Sequence, residues 1–115
     1  MPLLKLETNV ALSEDKRKDL LASLSRAVAG SVGKPEEYVM VSISPADMVM
    51  SGKQGDAAFV DIRSIGGLSS GVNRKLSQQV CKLVTDSLGI HSDRVYLNFT
   101  DIKADNWGWN GSTFG

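Results

Sequence analysis

Pro2 directly follows Met1, and removing a methionine that precedes so small a residue would leave a free secondary amine at the head of the chain. An amine acts as a base near neutrality only where it is largely unprotonated. An ordinary α-amino group titrates at about 7.7–8.0, and proline's starts out more basic. Burial at an apolar strand end with a cation nearby would lower it towards the working range. As a residue type alone, Pro2 also suits the opening of an edge strand. A cation is available in Gly33-Lys34-Pro35, although a lysine there would equally complement the end of a helix. Arg63-Ser64-Ile65-Gly66-Gly67 runs a strand into a glycine turn whose bare backbone can approach a ligand. The tail Asn106-Trp107-Gly108-Trp109-Asn110-Gly111-Ser112-Thr113-Phe114 concentrates both tryptophans and a phenylalanine among too many glycines for a helix. Aromatics this dense suit a pocket wall, a subunit contact or a small satellite core.

Other chemistries lack their residues. One cysteine and one histidine give no metal-ligand cluster and no internal disulfide, so neither a metal nor any other cofactor is expected. Cys81 falls in a helical pattern and His91 in a turn, which argues against a thiolate–imidazole dyad. Thirteen basic and thirteen acidic side chains cancel, and no basic stripe is present, so nucleic acid is not an expected partner. Apolar runs are far shorter than the roughly 20 residues needed to span a bilayer. The short apolar start is interrupted by Lys5 and does not read as a signal peptide. A cytoplasmic, single-domain protein covering residues 1–115 is the expectation.

An internal repeat supplies the frame for these residues. A shift of 56 positions matches Gly33 with Gly89, Val39 with Val95, Val41 with Leu97 and Ile43 with Phe99. The same shift matches Leu20 with Leu76, Leu24 with Val80, Val28 with Val84 and Ser13 with Ser69. The copies run over about residues 2–50 and 58–106. In each, a short strand (Leu3 to Thr8; Ala58 to Ser64) leads to a helix and then to a second strand (Tyr38 to Ser44; Arg94 to Thr100). Apolar residues at three-and-four spacing mark the helices. Ser13 suits an N-cap, and Gly33 and Gly89 suit C-caps. Each copy reads as a βαβ crossover. The pair predicts a two-layer α+β fold, a four-stranded mixed sheet with both helices on one face. The other face would carry Met40, Ser42, Tyr96 and Asn98, which are not the lysines and glutamates of a solvated surface. With no third layer of its own, such a chain is expected to cover that face by self-association.

The opening Met1-Pro2, the Gly33-Lys34-Pro35 turn followed by Tyr38, the Ser64-Ile65-Gly66 turn, Asp93-Arg94-Val95-Tyr96-Leu97-Asn98-Phe99 and the closing Gly108 to Phe114 stand in order along the chain. Together they resemble the macrophage migration inhibitory factor family, a branch of the tautomerase superfamily whose members begin with a catalytic proline. The resemblance spans essentially the whole chain. It implies a homotrimer with active sites at the subunit interfaces, and keto–enol tautomerisation of small aromatic α-keto acids such as phenylpyruvate, or of dopachrome-like compounds. By motif position it implies Pro2 as the base, Lys34 as the pocket lysine and Ile65, beside Ser64, as a backbone contact. Tyr96 and Asn98 would come from the neighbouring subunit, with Tyr38, Trp109 and Phe114 as aromatic walls.

The sequence also departs from the family. Ala57-Ala58-Phe59-Val60 stands where some members carry a Cys-x-x-Cys pair, so no dithiol is available for redox chemistry. Arg63 replaces the histidine of vertebrate members, and Trp107 replaces a small aliphatic residue at the pocket rim. The resemblance equally allows a cytokine-like protein with a receptor, secreted without a signal peptide, or a trimeric scaffold with vestigial activity.

Overall fold

A computed structural model describes all 115 residues. Alternating apolar side chains build four strands: β1 (Pro2–Thr8), β2 (Met40–Pro45), β3 (Ala58–Ser64) and β4 (Val95–Asp101). They pair in the order β2-β1-β3-β4, with β1 parallel to β2, β3 parallel to β4 and the central β1–β3 pair antiparallel. The predicted mixed sheet is therefore present. The duplication explains its symmetry. Leu4 lies opposite Ile62 and Leu6 opposite Val60, so Lys5 faces Asp61, its own repeat mate, on a local two-fold axis. β1 is an inner strand, not the edge strand that Pro2 suggested. A strand's first residue is the place where an inner strand accepts a residue without an N–H.

Two helices, α1 (Glu14–Val32) and α2 (Ser70–Leu88), cover one face. Ser13 and Ser69 accept hydrogen bonds from Lys16 N and Val72 N, as expected of N-caps. Gly33 and Gly89 end the helices in the left-handed conformation. Leu20, Leu24, Val28 and Val32 of α1 and Leu76, Val80 and Val84 of α2 press on Leu4, Leu6, Val60 and Ile62 of the sheet, and all are buried. The longer loop between β2 and β3 is held by Arg94, whose guanidinium donates to the carbonyls of Asp56 (2.9 Å), Met50 (3.3 Å) and Lys53 (3.2 Å).

Two boundaries differ from the sequence reading. Tyr38 and Arg94 close short 3₁₀ turns (Glu36–Tyr38 and Ser92–Arg94) instead of opening strands. Pro35 starts the first turn, and its carbonyl accepts from Tyr38 N at 3.1 Å. The opposite face of the sheet is bare. Met40 is 66% and Tyr96 65% exposed there, which is high for large side chains on a central sheet. No helix is long and apolar enough to cross a membrane.

Candidate functional site

A cavity of about 560 Å³ opens where β1 begins. Met1, Pro2 and Leu3 form its base, with Tyr38, Val39 and Met40 on one side and Arg63 on the other. Ile102, Trp107, Trp109 and Phe114 close it from the tail. Its volume falls in the range of pockets that hold small organic molecules. The chain's own amino terminus therefore lies in an apolar hollow. That environment acts on the amine. The Met1 α-amino group is held below its ordinary value of 8.0, mainly by burial and secondarily by the positive charge of Lys34.

Helix termination positions that lysine. Gly33 turns left-handed at the end of α1, and the N–H groups of both Gly33 and Lys34 donate to Ala29 O, at 3.0 and 3.2 Å. The Lys34 chain then runs beside Gly67, and a Cβ at that glycine would sit 3.7 Å from Lys34 Cε. The turn bearing Ile65 is tied from several directions. Ser64 Oγ donates to Gly66 O (2.7 Å), Gly66 N donates to Asp101 Oδ1 (3.0 Å), and Ile102 N donates to Ser64 O (2.8 Å). The last bond fixes Ile102 just past the end of β4, where it lines the cavity.

The tail folds into a two-residue hairpin, β5 (Gly108–Trp109) and β6 (Ser112–Thr113). Asn110 and Gly111 both adopt positive φ, at 52° and 79°, the conformation for which Asn-Gly is the strongest short signal. The hairpin brings Trp109 and Phe114 into a stack with centroids 5.9 Å apart and rings 13° from parallel. Phe114 N donates to Trp107 O (3.1 Å), closing the unit. Asn110-Gly111 is the sequence signal for this hairpin.

Of the residues singled out by sequence, Pro2, Tyr38, Arg63, Trp107, Trp109 and Phe114 line one cavity. Lys34 acts on it electrostatically. Ser64 does not present its side chain. Its hydroxyl is fully buried on the helix side and is used within the turn, because even-numbered residues of β3 face the helices. Ile65 sits on the turn, half-buried and outside the cavity wall. Tyr96 and Asn98 project from the bare face of β4 and do not line the cavity of their own chain. Leu3, Glu37, Val39, Met40, Ile102 and Asn106 are wall residues that sequence reasoning missed. Leu3, Val39, Met40 and Ile102 carry no chemical signature, and Glu37 and Asn106 are brought here by the short turns after α1 and β4. Cys81 and His91 have separate partners, the carbonyl of Ser92 and the carboxylate of Asp93.

Comparison with known proteins gives one answer. The family model for macrophage migration inhibitory factor matches residues 1–115. A macrophage migration inhibitory factor homolog of Trichuris trichiura is 41% identical, over 99% of this chain and 100% of its own length. The macrophage migration inhibitory factor of Meriones unguiculatus is 39% identical, over 99% of each chain. Among solved structures, the homologue from Prochlorococcus marinus superposes with a TM-score of 0.94 at 39% identity, over 98% of this chain and 99% of the other. The Entamoeba histolytica protein also gives 0.94, at 32% identity over 98% of each chain.

Proposed function

This chain belongs to the macrophage migration inhibitory factor family, and we propose that it is a keto–enol tautomerase of small aromatic α-keto acids with the Pro2 nitrogen as general base. One observation carries this reading. The amino terminus lies in an aromatic-walled cavity that lowers its proton affinity. With Met1 removed, the amine at that end is Pro2's. In the reaction, its lone pair takes a proton from the carbon beside the ketone as the C–H electrons move to form the enolate. The same proton returns to the enolate oxygen, and the reverse direction uses the same group. Lys34 neutralises the substrate carboxylate, and its charge also favours the unprotonated amine. Tyr38, Trp109 and Phe114 take the aromatic ring. In a homotrimer built on the bare sheet faces, Tyr96 and Asn98 of an adjacent copy donate hydrogen bonds where enolate charge develops.

The test is exchange between the enol and keto forms of phenylpyruvate, followed on protein whose loss of Met1 is verified by mass. Pro2→Gly should lose about 10²–10⁴ in rate, the range of a positioned general base. Its sedimentation mass should remain three times the 12.4 kDa of one chain. Turnover retained in Pro2→Gly would overturn the base assignment. Absence of turnover in the Met1-free native chain would leave the family's cytokine-like function as the reading.

A further inference from the structure

Arg63 is the one cationic side chain in the wall of the cavity, and its surroundings leave it work to do. It stands on the bare face of β3, opposite Leu3 of β1, which in turn lies opposite Met40 of β2. Its neighbours in that row are apolar on the cavity side, Leu3 and then Met40, and Thr100 of β4 on the other. Two of its N–H groups, on Nε and Nη2, donate to a single oxygen, Asp61 Oδ2, at 3.2 and 2.9 Å. Nη1 has no partner within the chain. An ion pair whose arginine is about half exposed contributes little to stability, so holding the fold together is a poor account of it. Asp61 instead aims the guanidinium: gripped along one edge, the fork presents its other edge. Lys5 lies opposite Asp61 in the strand register, on the same face of the sheet as Arg63. The acidic wall residue, Glu37, belongs to the Tyr38 side, while Arg63 comes from β3.

We propose that Arg63 makes this cavity select aromatic keto acids that carry a second carboxylate, one acid group meeting Lys34 and the other the free edge of Arg63. This rests on the tautomerase reading for the keto acid and on the cavity geometry for the second acid. A planar guanidinium with an unused edge matches a carboxylate through charge-assisted hydrogen bonds. The apolar and aromatic side chains that line the cavity beside Arg63 accommodate a ring.

Binding can be read without turnover, because both tryptophans of the chain line the cavity. Tryptophan fluorescence is titrated with phenylacetate and with 4-carboxyphenylacetate. The native protein should bind the dianion about tenfold more tightly, a difference of about 1.4 kcal/mol that shrinks as salt rises. In Arg63→Gln that preference should disappear, and the ratio of kcat/KM for 4-carboxyphenylpyruvate over phenylpyruvate should fall about tenfold, mainly through KM. Equal affinity of the native protein for the two ligands overturns the proposal without any variant. A preference retained in Arg63→Gln, or an equal loss on both substrates, overturns it as well, the latter by making Arg63 the partner of the keto acid's own carboxylate. Failure of the two readings is separable. Preferred dianion binding with background-rate exchange removes the tautomerase reading and keeps Arg63 as a dicarboxylate reader. Brisk exchange with no preference does the reverse.

Discussion

Gly66 and Gly67 stand side by side in the turn after β3, and replacing each with alanine separates two costs that are usually merged. Both residues have left-handed backbone, with φ of 70° and 78°. An alanine at either site bears the left-handed penalty of about 1–2 kcal/mol, partly offset by about 0.4–1 kcal/mol from a less flexible unfolded chain. The net local cost is about 1 kcal/mol in both. Their surroundings differ. A Cβ at Gly66 meets nothing within 4 Å, whereas at Gly67 it would lie 2.6 Å from Val32 Cγ1 and 2.8 Å from Val32 O. The second contact is backbone at the end of α1 and cannot swing aside. Overpacking of this kind adds about 1–3 kcal/mol, so Gly67→Ala should lose about 2–4 kcal/mol in total. At about 4 °C per kcal/mol for a chain of this size, melting followed by circular dichroism should fall about 8–16 °C for Gly67→Ala and about 4 °C for Gly66→Ala. Both are compared at one protein concentration, because assembly makes Tm concentration-dependent. The strained turn also pushes against the segment that carries Lys34, so kcat/KM should fall further in Gly67→Ala than in its neighbour. Equal losses at the two positions would refute the argument that contact with α1, and not φ alone, fixes this turn.

Three further outcomes follow from the same structure. The amine at the head of the chain is pushed below the ordinary α-amino value by burial first and Lys34 second. Once Met1 is removed, the Pro2 amine at that end meets the same two influences, so kcat/KM should show an acid limb below the ordinary value of a proline α-amine; Lys34→Met should move that limb upward only in part, and a limb unmoved by the variant would remove lysine from the electrostatics. Leu24→Ala, at a fully buried position, should cost about 2–5 kcal/mol in urea unfolding through the cavity it leaves; a loss under about 1 kcal/mol would show that the two layers re-collapse around it. Trp109→Ala removes the ring stacked on Phe114 and should raise KM for an aromatic keto acid with little effect on an aliphatic one, equal effects on both counting against an aromatic wall.

The repeat was legible because burial imposes periodicity. Leu20, Leu24, Val28 and Val32 had to recur at helical spacing to meet the sheet, and Leu4 and Leu6 at strand spacing to meet the helices. The capping serines and glycines were legible for a similarly local reason: each satisfies or terminates backbone within a few residues. Which two strands form the antiparallel junction of the mixed sheet, and in what register, was not. Nothing in β1 or β3 alone says that the two copies meet edge to edge about the Lys5–Asp61 pair, since register depends on which edges remain once each copy has paired its own strands. That pairing made β1 an inner strand and turned Pro2 from a tolerated edge residue into one at a closed end.

The site divides along the same line. Sequence by itself determined the residue types: an amine-bearing head, a lysine just past a helix, an arginine before a glycine turn and an aromatic tail. Their chemistry follows from their functional groups, which need no coordinates. Only the tertiary structure decided which of them share a space. It gathered Pro2, Tyr38, Arg63, Trp107, Trp109 and Phe114 around one cavity and added the unsignalled Leu3, Val39 and Ile102. It turned Ser64 into the core and left Tyr96 and Asn98 on a bare face. Proximity across 100 residues of chain is set by strand register and by where one hairpin folds back. Those are properties of long-range packing, which local sequence does not encode.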